Sequence, residues 1–364
     1  MLKRTPLHAH HVAAGGHLVD FGGWEMPLHY GSQIEEHLQV RRAAGMFDVS
    51  HMTIVDLHGP DARDFLRHLL ANEVDKLKSI GSALYGLMLN EEAGVVDDLI
   101  VYRLAEGYRL VVNCATRDKD LAWLATHGRH FSVTCQERRD LAIIAVQGPA
   151  ARHRLAELLA LPALLDLPPF MAMQHGDRFI ARTGYTGEEG VEILLPGDSA
   201  GALWEQLRSA GITPAGLGAR DTLRIEAGLN LYGAEMDESV NPLIANLGWT
   251  IAWEPPTRDF IGRAALTRLR EQGVQQCQLG LLLEGRGVLR AGQRIFTATG
   301  EGIVTSGTFS PTLGHSIAIA RLPLGSSGRV EAEIRGRRLP AQVVKLPFVR
   351  HGQPLHPPVT PTSA

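Results

Sequence analysis

Cysteine, an excess of charge and long apolar runs are all scarce in this chain, and each shortage removes a class of function. Three cysteines in 364 residues, Cys114, Cys135 and Cys277, stand far apart and form no CxxC pair. That excludes a disulfide framework and fits a reducing compartment. Lysine and arginine (36) nearly balance the acids (39), leaving a net charge of −3. Such a balance offers no electrostatic footprint for nucleic acid or an anionic membrane. No stretch approaches the roughly 20 apolar residues of a membrane span, and the N-terminus "MLKRTPLHAHHVAAGG" has no apolar core of a signal peptide. A cytoplasmic location is the expectation.

Recognised catalytic signatures are also missing. There is no P-loop, no GxSxG and no cysteine in an activating environment. "GLGARD" has Gly216 and Gly218 but Asp221 where the third glycine of a dinucleotide turn belongs, and that glycine is needed for close helix–strand packing. The sixteen histidines, His8, His10 and His11 foremost, lack HExxH spacing and companion ligands, so no metal site is expected and they read as surface residues.

What remains is a chain with 45% hydrophobic and 21% charged residues, long enough for two or three domains of roughly 100–200 residues each. "IVDLHGPDARDFLRHLL" (54–70) aligns without gaps with "IIAVQGPAARHRLAELL" (143–159), with roughly half the positions identical. Each reads as a strand, a Gly-Pro break and an amphipathic helix, the proline sitting where its missing N–H is not needed. Ala62, Leu66, Leu69 and Leu70 fall on one helical face. Further strands are predicted at 82–89, around 93–103 and at 108–115, with helices near 119–126 and 202–210. From Gln276 the pattern becomes short strands with Gly-rich turns, the sign of a small β domain of about 75 residues, sandwich or barrel. The Pro-rich end, "HGQPLHPPVTPTSA", reads as a disordered tail.

Four polar groups stand where chemistry is more interesting than fold. In "AGVVDDLIVYR" (93–103), Asp97 and Asp98 interrupt an apolar strand, and alternation sends them to opposite faces. In "RTGYTGEEGVEILL", Glu192 shares a face with Leu194; it is either on the wet side of a half-buried strand or held for a ligand with parallel N–H donors. Arg220 opens the predicted helix "ARDTLRIEAG", where a cation opposes the macrodipole unless it faces an anion or polar ligand.

Long segments resemble one family in order and spacing: "TPLHAHHVAAGGHLVDFGGWEMPLHY" (5–30), "RRAAGMFDVSHM" (41–52), "GVVDDLIVYR" (94–103), "VVNCATRDKD" (111–120), "RTGYTGEEGVEI" (182–193), "GLGARDTLRIEAGLNLYG" (216–233), "DFIGRAAL" (259–266) and "TSGTFSPTLGHSIAIA" (305–320). They are similar to the aminomethyltransferase, or T-protein, of the glycine cleavage system. The resemblance implies an α+β, three-domain fold around a central folate channel. A discontinuous first domain would take residues 1–50 and 137–275, a ferredoxin-like domain 51–136, and a distorted C-terminal β barrel 276–352, leaving 353–364 as the tail.

The implied reaction moves a methylene carbon from the aminomethyl-dihydrolipoyl arm of the lipoylated H-protein to tetrahydrofolate, with release of ammonia and no metal. Carried over position by position, the family's catalytic aspartate falls on Asp98. Tyr85, Tyr102, Asn113, Tyr185, Glu192, Arg220 and Arg350 fall on folate-pocket positions, Arg350 toward the glutamate tail. Ile244 and Asn246 replace a glutamate and a glycine common in the family, and Phe170 and Leu229 stand where some members have tyrosine, so the polar lining of the channel is where this sequence departs. A folate-binding paralogue of iron–sulphur protein maturation is the alternative; it requires a cysteine that "GYTGEEGVE" lacks. The folate domain of a larger dimethylglycine- or sarcosine-type oxidase would need a flavin domain for which this length leaves no space.

Overall fold

A computed structural model describes residues 1–357, and it is built on two antiparallel-rich sheets and a barrel. One sheet has five strands in the order Ala83–Leu89, Val95–Arg103, Tyr108–Val112, Thr53–His58, Thr134–Glu137. The helices Ala62–Leu69 and Arg117–His127 cover one face of it, where Phe65, Leu66, Leu69 and Leu124 pack on Val55, Leu57, Leu99 and Val101. The second helix starts two residues before the predicted range. The preceding strand ends at Val112, leaving Cys114 just beyond it rather than within it.

The other sheet has six strands. It takes Gly45–Asp48 from before the five-stranded unit and Leu141–Gln147, Ala172–His175, Arg178–Ala181, Gly190–Pro196 and Thr213–Pro214 from after it. Its outer face is sealed by the helices Ala151–Leu158 and Gly197–Ser209, with Trp204 fully buried against Ile144, Val146 and Ile193. The inner face, with Phe179, Ala181 and Leu194, meets Ile54, Tyr102 and Val111 of the five-stranded sheet.

The aligned strand–helix repeats are one in each sheet, and their turns are alike. Gly59 has φ +123° and Gly148 φ +129°; a Cβ at Gly59 would lie 2.2 Å from the Ser132 carbonyl oxygen, and at Gly148 2.5 Å from that of Ala43. Only glycine fits such a turn, which explains the shared Gly-Pro pair.

Residues 276–344 close into a six-stranded barrel, ordered Gln276–Leu283, His315–Pro323, Gly300–Ser310, Arg294–Thr297, Arg329–Ile334, Arg337–Val344. A buried polar cluster ties it to the rest. Glu226, last residue of the helix Leu217–Glu226, accepts from Arg41 Nη2 at 2.7 Å and from Thr312 Oγ1 at 2.8 Å, and also from Ser310 Oγ. His37 Nε2 lies 3.3 Å from it. Burial alone would raise the Glu226 carboxyl, but His37, Arg41 and Ser310 outweigh it and bring it down to about 2.

Two expectations need correction. Residues 353–357 are not a loose tail: Gln353–Pro354 pairs with Val349–Arg350, Leu355 N–H donates to Phe348 O at 2.9 Å, and His356 Nε2 meets Lys345 O at 2.8 Å. The remainder of that tail, 358–364, lies outside the described residues. His11 is not a surface histidine. It is fully buried, with Nε2 2.8 Å from Asp48 Oδ2 and Nδ1 2.8 Å from the Tyr30 hydroxyl, because its short helix turns that side toward the core. No helix among the described residues is long and apolar enough to cross a membrane.

Candidate active site

The inner faces of the two sheets part to leave a cavity of about 260 Å³. Tyr85, Asp98, Tyr102, Asn113, Tyr185, Glu192 and Arg220 all line it. Arg350 does not; it is exposed on the hairpin strand Val349–Arg350. Of the departures, Phe170, Leu229 and Asn246 are in the wall and Ile244 is not.

Strand alternation explains how Asp98 arrives there. Asp98, Ile100 and Tyr102 line the cavity, whereas Val101 and Leu99, which also borders the cavity, join the core under the helices and Asp97 meets Asp120 of the second helix. A bulge interrupts the register just before the pair: Leu87 opposes Asp98, Met88 opposes Asp97, and Leu89 opposes Val95, leaving Val96 extra. Asp97 is fully buried and Asp98 half-buried.

Asp98 is held from both neighbouring strands. The Tyr85 hydroxyl donates to Oδ2 at 3.0 Å, and Asn113 Nδ2 donates to Oδ1 at 2.9 Å. Burial and the charge of Asp97 push the Asp98 carboxyl up, Tyr85 and Asn113 hold it partly down, and the result is about 7. A carboxyl poised there can hold or release a proton at neutral pH.

Across the cavity, Glu192 lies on the inner face of the six-stranded sheet, cross-strand from Ala181 and Ala145. It faces the cavity, not open solvent. Thr183 Oγ1 donates to its Oε2 at 2.6 Å and stands 3.1 Å from the Tyr102 hydroxyl. Burial raises the Glu192 carboxyl, with Thr183 and the Arg220 charge opposing. The Arg220 guanidinium stacks on Tyr185, 4.5 Å from the ring centroid, and the Tyr185 hydroxyl donates to Asn230 O. Arg220 sits in the first turn of the helix Leu217–Glu226, as expected, and the cavity is the polar environment that accounts for it.

Two residues of the site, Trp249 in the cavity lining and Thr183 behind it, carried no separate signal in the sequence. Trp249 is 67% exposed yet stacks on Tyr85 at 5.9 Å, forming an aromatic lip. Its short turn, Gly248–Thr250, has no periodicity to read. Thr183, a small polar residue in a glycine-rich turn, becomes important only once Glu192 and Tyr102 are seen on either side of it.

Aromatic walls, two carboxyls raised by burial and one stacked cation make a site that binds a flat polar ligand and moves protons beside it: an enzyme's cavity. Known proteins agree. Residues 7–255 match the family model of the GCVT N-terminal domain and 276–350 that of the glycine cleavage T-protein C-terminal barrel domain. An aminomethyltransferase of Pseudomonas syringae pv. tomato is 56% identical over 98% of this chain and 100% of its own length. One of Alcanivorax borkumensis is 58% identical over 98% of this chain and 99% of its own. The crystal structure of glycine cleavage system aminomethyltransferase T from Bartonella henselae superposes with a TM-score of 0.91 at 37% identity, covering 96% of this chain and 99% of that one. The chain belongs to the glycine cleavage T-protein family, a family of aminomethyltransferase enzymes.

Proposed function

We propose that this cavity takes tetrahydrofolate as co-substrate and receives the aminomethyl-bearing lipoyl arm of H-protein, transferring the methylene carbon and releasing ammonia. The observation that carries the reading is Asp98, a carboxyl balanced near neutrality, facing Glu192 and Arg220 across one aromatic-walled space. The donor set fits the ligand: a carboxylate matches the parallel N–H donors of a pterin edge, and tyrosine faces suit its ring.

When bound, tetrahydrofolate supplies the nitrogen that accepts the carbon and the two N–H protons that the products need. The balance is simple: one proton ends on the departing amine and one on the dihydrolipoyl sulfur. Asp98 is positioned to take a proton in its ionised form and return it as the amine leaves, while its charge favours developing positive charge on the transferred carbon. Tyr85 and Asn113 fix its two oxygens. Glu192, set by Thr183, holds the pterin edge. Arg220 and Tyr185 present one stacked surface, and Tyr102 supports the Thr183 side of the wall. Arg350, outside this cavity, is assigned only to the distal glutamate tail.

Mixing the protein with aminomethyl-loaded H-protein and tetrahydrofolate tests the proposal. Ammonia release should require both partners and match the methylene folate formed. Release at the same rate without folate would sink it.

A further inference from the structure

Behind the cavity wall lies a second acidic arrangement that the reaction, as described, does not use. Asp97 points to the helix side of the five-stranded sheet, where the helix Arg117–His127 brings Asp120 against it. Both residues are fully buried. Asp97 is well supplied with donors: Asn113 N–H reaches Oδ2 at 3.1 Å and Asn113 Nδ2 reaches Oδ1 at 2.9 Å. Asp120 is not. Both its oxygens are buried and unpaired, the Thr116 hydroxyl being near enough only to lower the carboxyl. Thr116, alongside, gives its hydroxyl proton to Asn113 O at 3.1 Å.

We propose that Asp120 is a positioning residue for Asp98: it is the protonated member of a carboxyl pair, donating to Asp97, so that the two share one negative charge and Asn113 can hold Asp97 and Asp98 at once. The inference rests on Asp98 being the catalytic carboxyl.

Two buried carboxylates in contact cannot both ionise at neutral pH. A buried carboxyl without a donor is stable only if it carries its own proton and gives it away. Asp97 already accepts N–H groups on both oxygens, so the proton belongs on Asp120. Burial raises both carboxyls, and the Asp120 charge raises Asp97 further, so the pair keeps one proton between them. The other ionisable groups facing the pair are Asp98, Cys114, Lys119, Tyr85 and Tyr232. Lys119 is the cation among them, and its ammonium is engaged with Tyr232 at 2.5 Å and Glu238 at 2.9 Å.

The link to the cavity is one amide. Asn113 follows the strand Tyr108–Val112, and its Nδ2 lies 2.9 Å from an oxygen of Asp97 on one face and 2.9 Å from one of Asp98 on the other. Loss of the Asp120 proton at high pH doubles the charge behind that amide. It draws Asn113 toward Asp97 and raises the cost of ionising Asp98.

The test uses the full-length protein with Asp120→Asn and Asp120→Ala. Asparagine keeps a neutral donor that cannot ionise; alanine removes it. Asp120→Ala should lower kcat roughly tenfold, the scale of a buried acceptor left unpaired, with the KM for tetrahydrofolate unchanged. Asp120→Asn should recover kcat to within about threefold of the parent and push the alkaline limb of its pH profile upward. Carbon-13 carboxyl shifts of the parent should show Asp120 protonated at pH 7. Asp120→Asn as impaired as Asp120→Ala, or a fully ionised Asp120 at pH 7, would overturn the proposal. If the alanine variant does not fold, the asparagine variant and the carbon-13 titration still decide it. Normal turnover in Asp98→Asn would instead remove the catalytic reading of Asp98, and the Asp120 carbon-13 titration would then judge the carboxyl pair by itself.

Discussion

Tyr85 and Asp98 are joined across adjacent strands by a 3.0 Å hydrogen bond, and that bond favours the ionised carboxyl. Its removal has a definite sign. In Tyr85→Phe the Asp98 carboxyl should rise from about 7, so the acid limb of kcat moves to higher pH and turnover at pH 7 falls severalfold. In Asp98→Asn the limb should vanish and turnover should drop by about 10²-fold. Steady-state ammonia release from pH 5.5 to 9 checks both; an unmoved acid limb in Tyr85→Phe would break the link.

The same shift predicts a stability effect. A carboxyl titrating near 7 in the folded state and near 4 when unfolded binds more protons folded between those values. Stability is therefore lost as pH rises from about 4 to about 7. Asp98→Asn should melt no lower than the parent at pH 8, and its advantage over the parent should be larger at pH 8 than at pH 5. Thermal melts at the two pH values are the measurement.

Glu192→Gln should weaken tetrahydrofolate roughly a hundredfold, since one side of a desolvated, charge-assisted contact is lost. Thr183→Val, which removes the hydroxyl donor at 2.6 Å, should fall between the parent and Glu192→Gln. Fluorescence or calorimetric titration reads both. Unchanged folate affinity in Glu192→Gln would leave the carboxylate without a ligand role.

Trp249 costs little to remove from the fold, being largely exposed, but it caps Tyr85 at the cavity mouth. Trp249→Ala should raise KM severalfold while Tm shifts little. A large loss of Tm with unchanged KM would reassign the ring to packing.

The cysteines should be dispensable. Burial pushes all three thiols up, away from the thiolate form, and none lines the cavity. A Cys114→Ser, Cys135→Ala, Cys277→Ser variant that folds should keep most of its turnover in the ammonia assay.

Much of this was legible in the chain because local rules carried it. Period-2 alternation separated Asp97 from Asp98, and the bulge at Val96 did not disturb the answer because it falls before them. The Gly-Pro repeats announced two equivalent turns, one in each sheet. Asp120 was not legible: its meaning depends on a helix and a strand meeting side by side, which no spacing encodes. His11 looked like a solvent residue for the same reason, its partners Tyr30 and Asp48 lying 19 and 37 residues away. Proline near the C-terminus suggested disorder, but Phe348 and Lys345 supply backbone acceptors that fix residues as far as His356.

The cluster at Glu226 bears on how the molecule comes apart. Its arginine and histidine come from the helix Gln33–Arg42, its carboxylate from the helix Leu217–Glu226, and two of its hydroxyls from the end of a barrel strand and the turn after it. Removing the barrel by a cut between Gln272 and Gln276 would leave Arg41 with Glu226 but strip the buried carboxylate of its Ser310 and Thr312 donors, and leaving a buried polar group unmet is costly. The barrel is thus not a detachable module. Heat should find one cooperative block, and proteases should find no stable intermediate to trim.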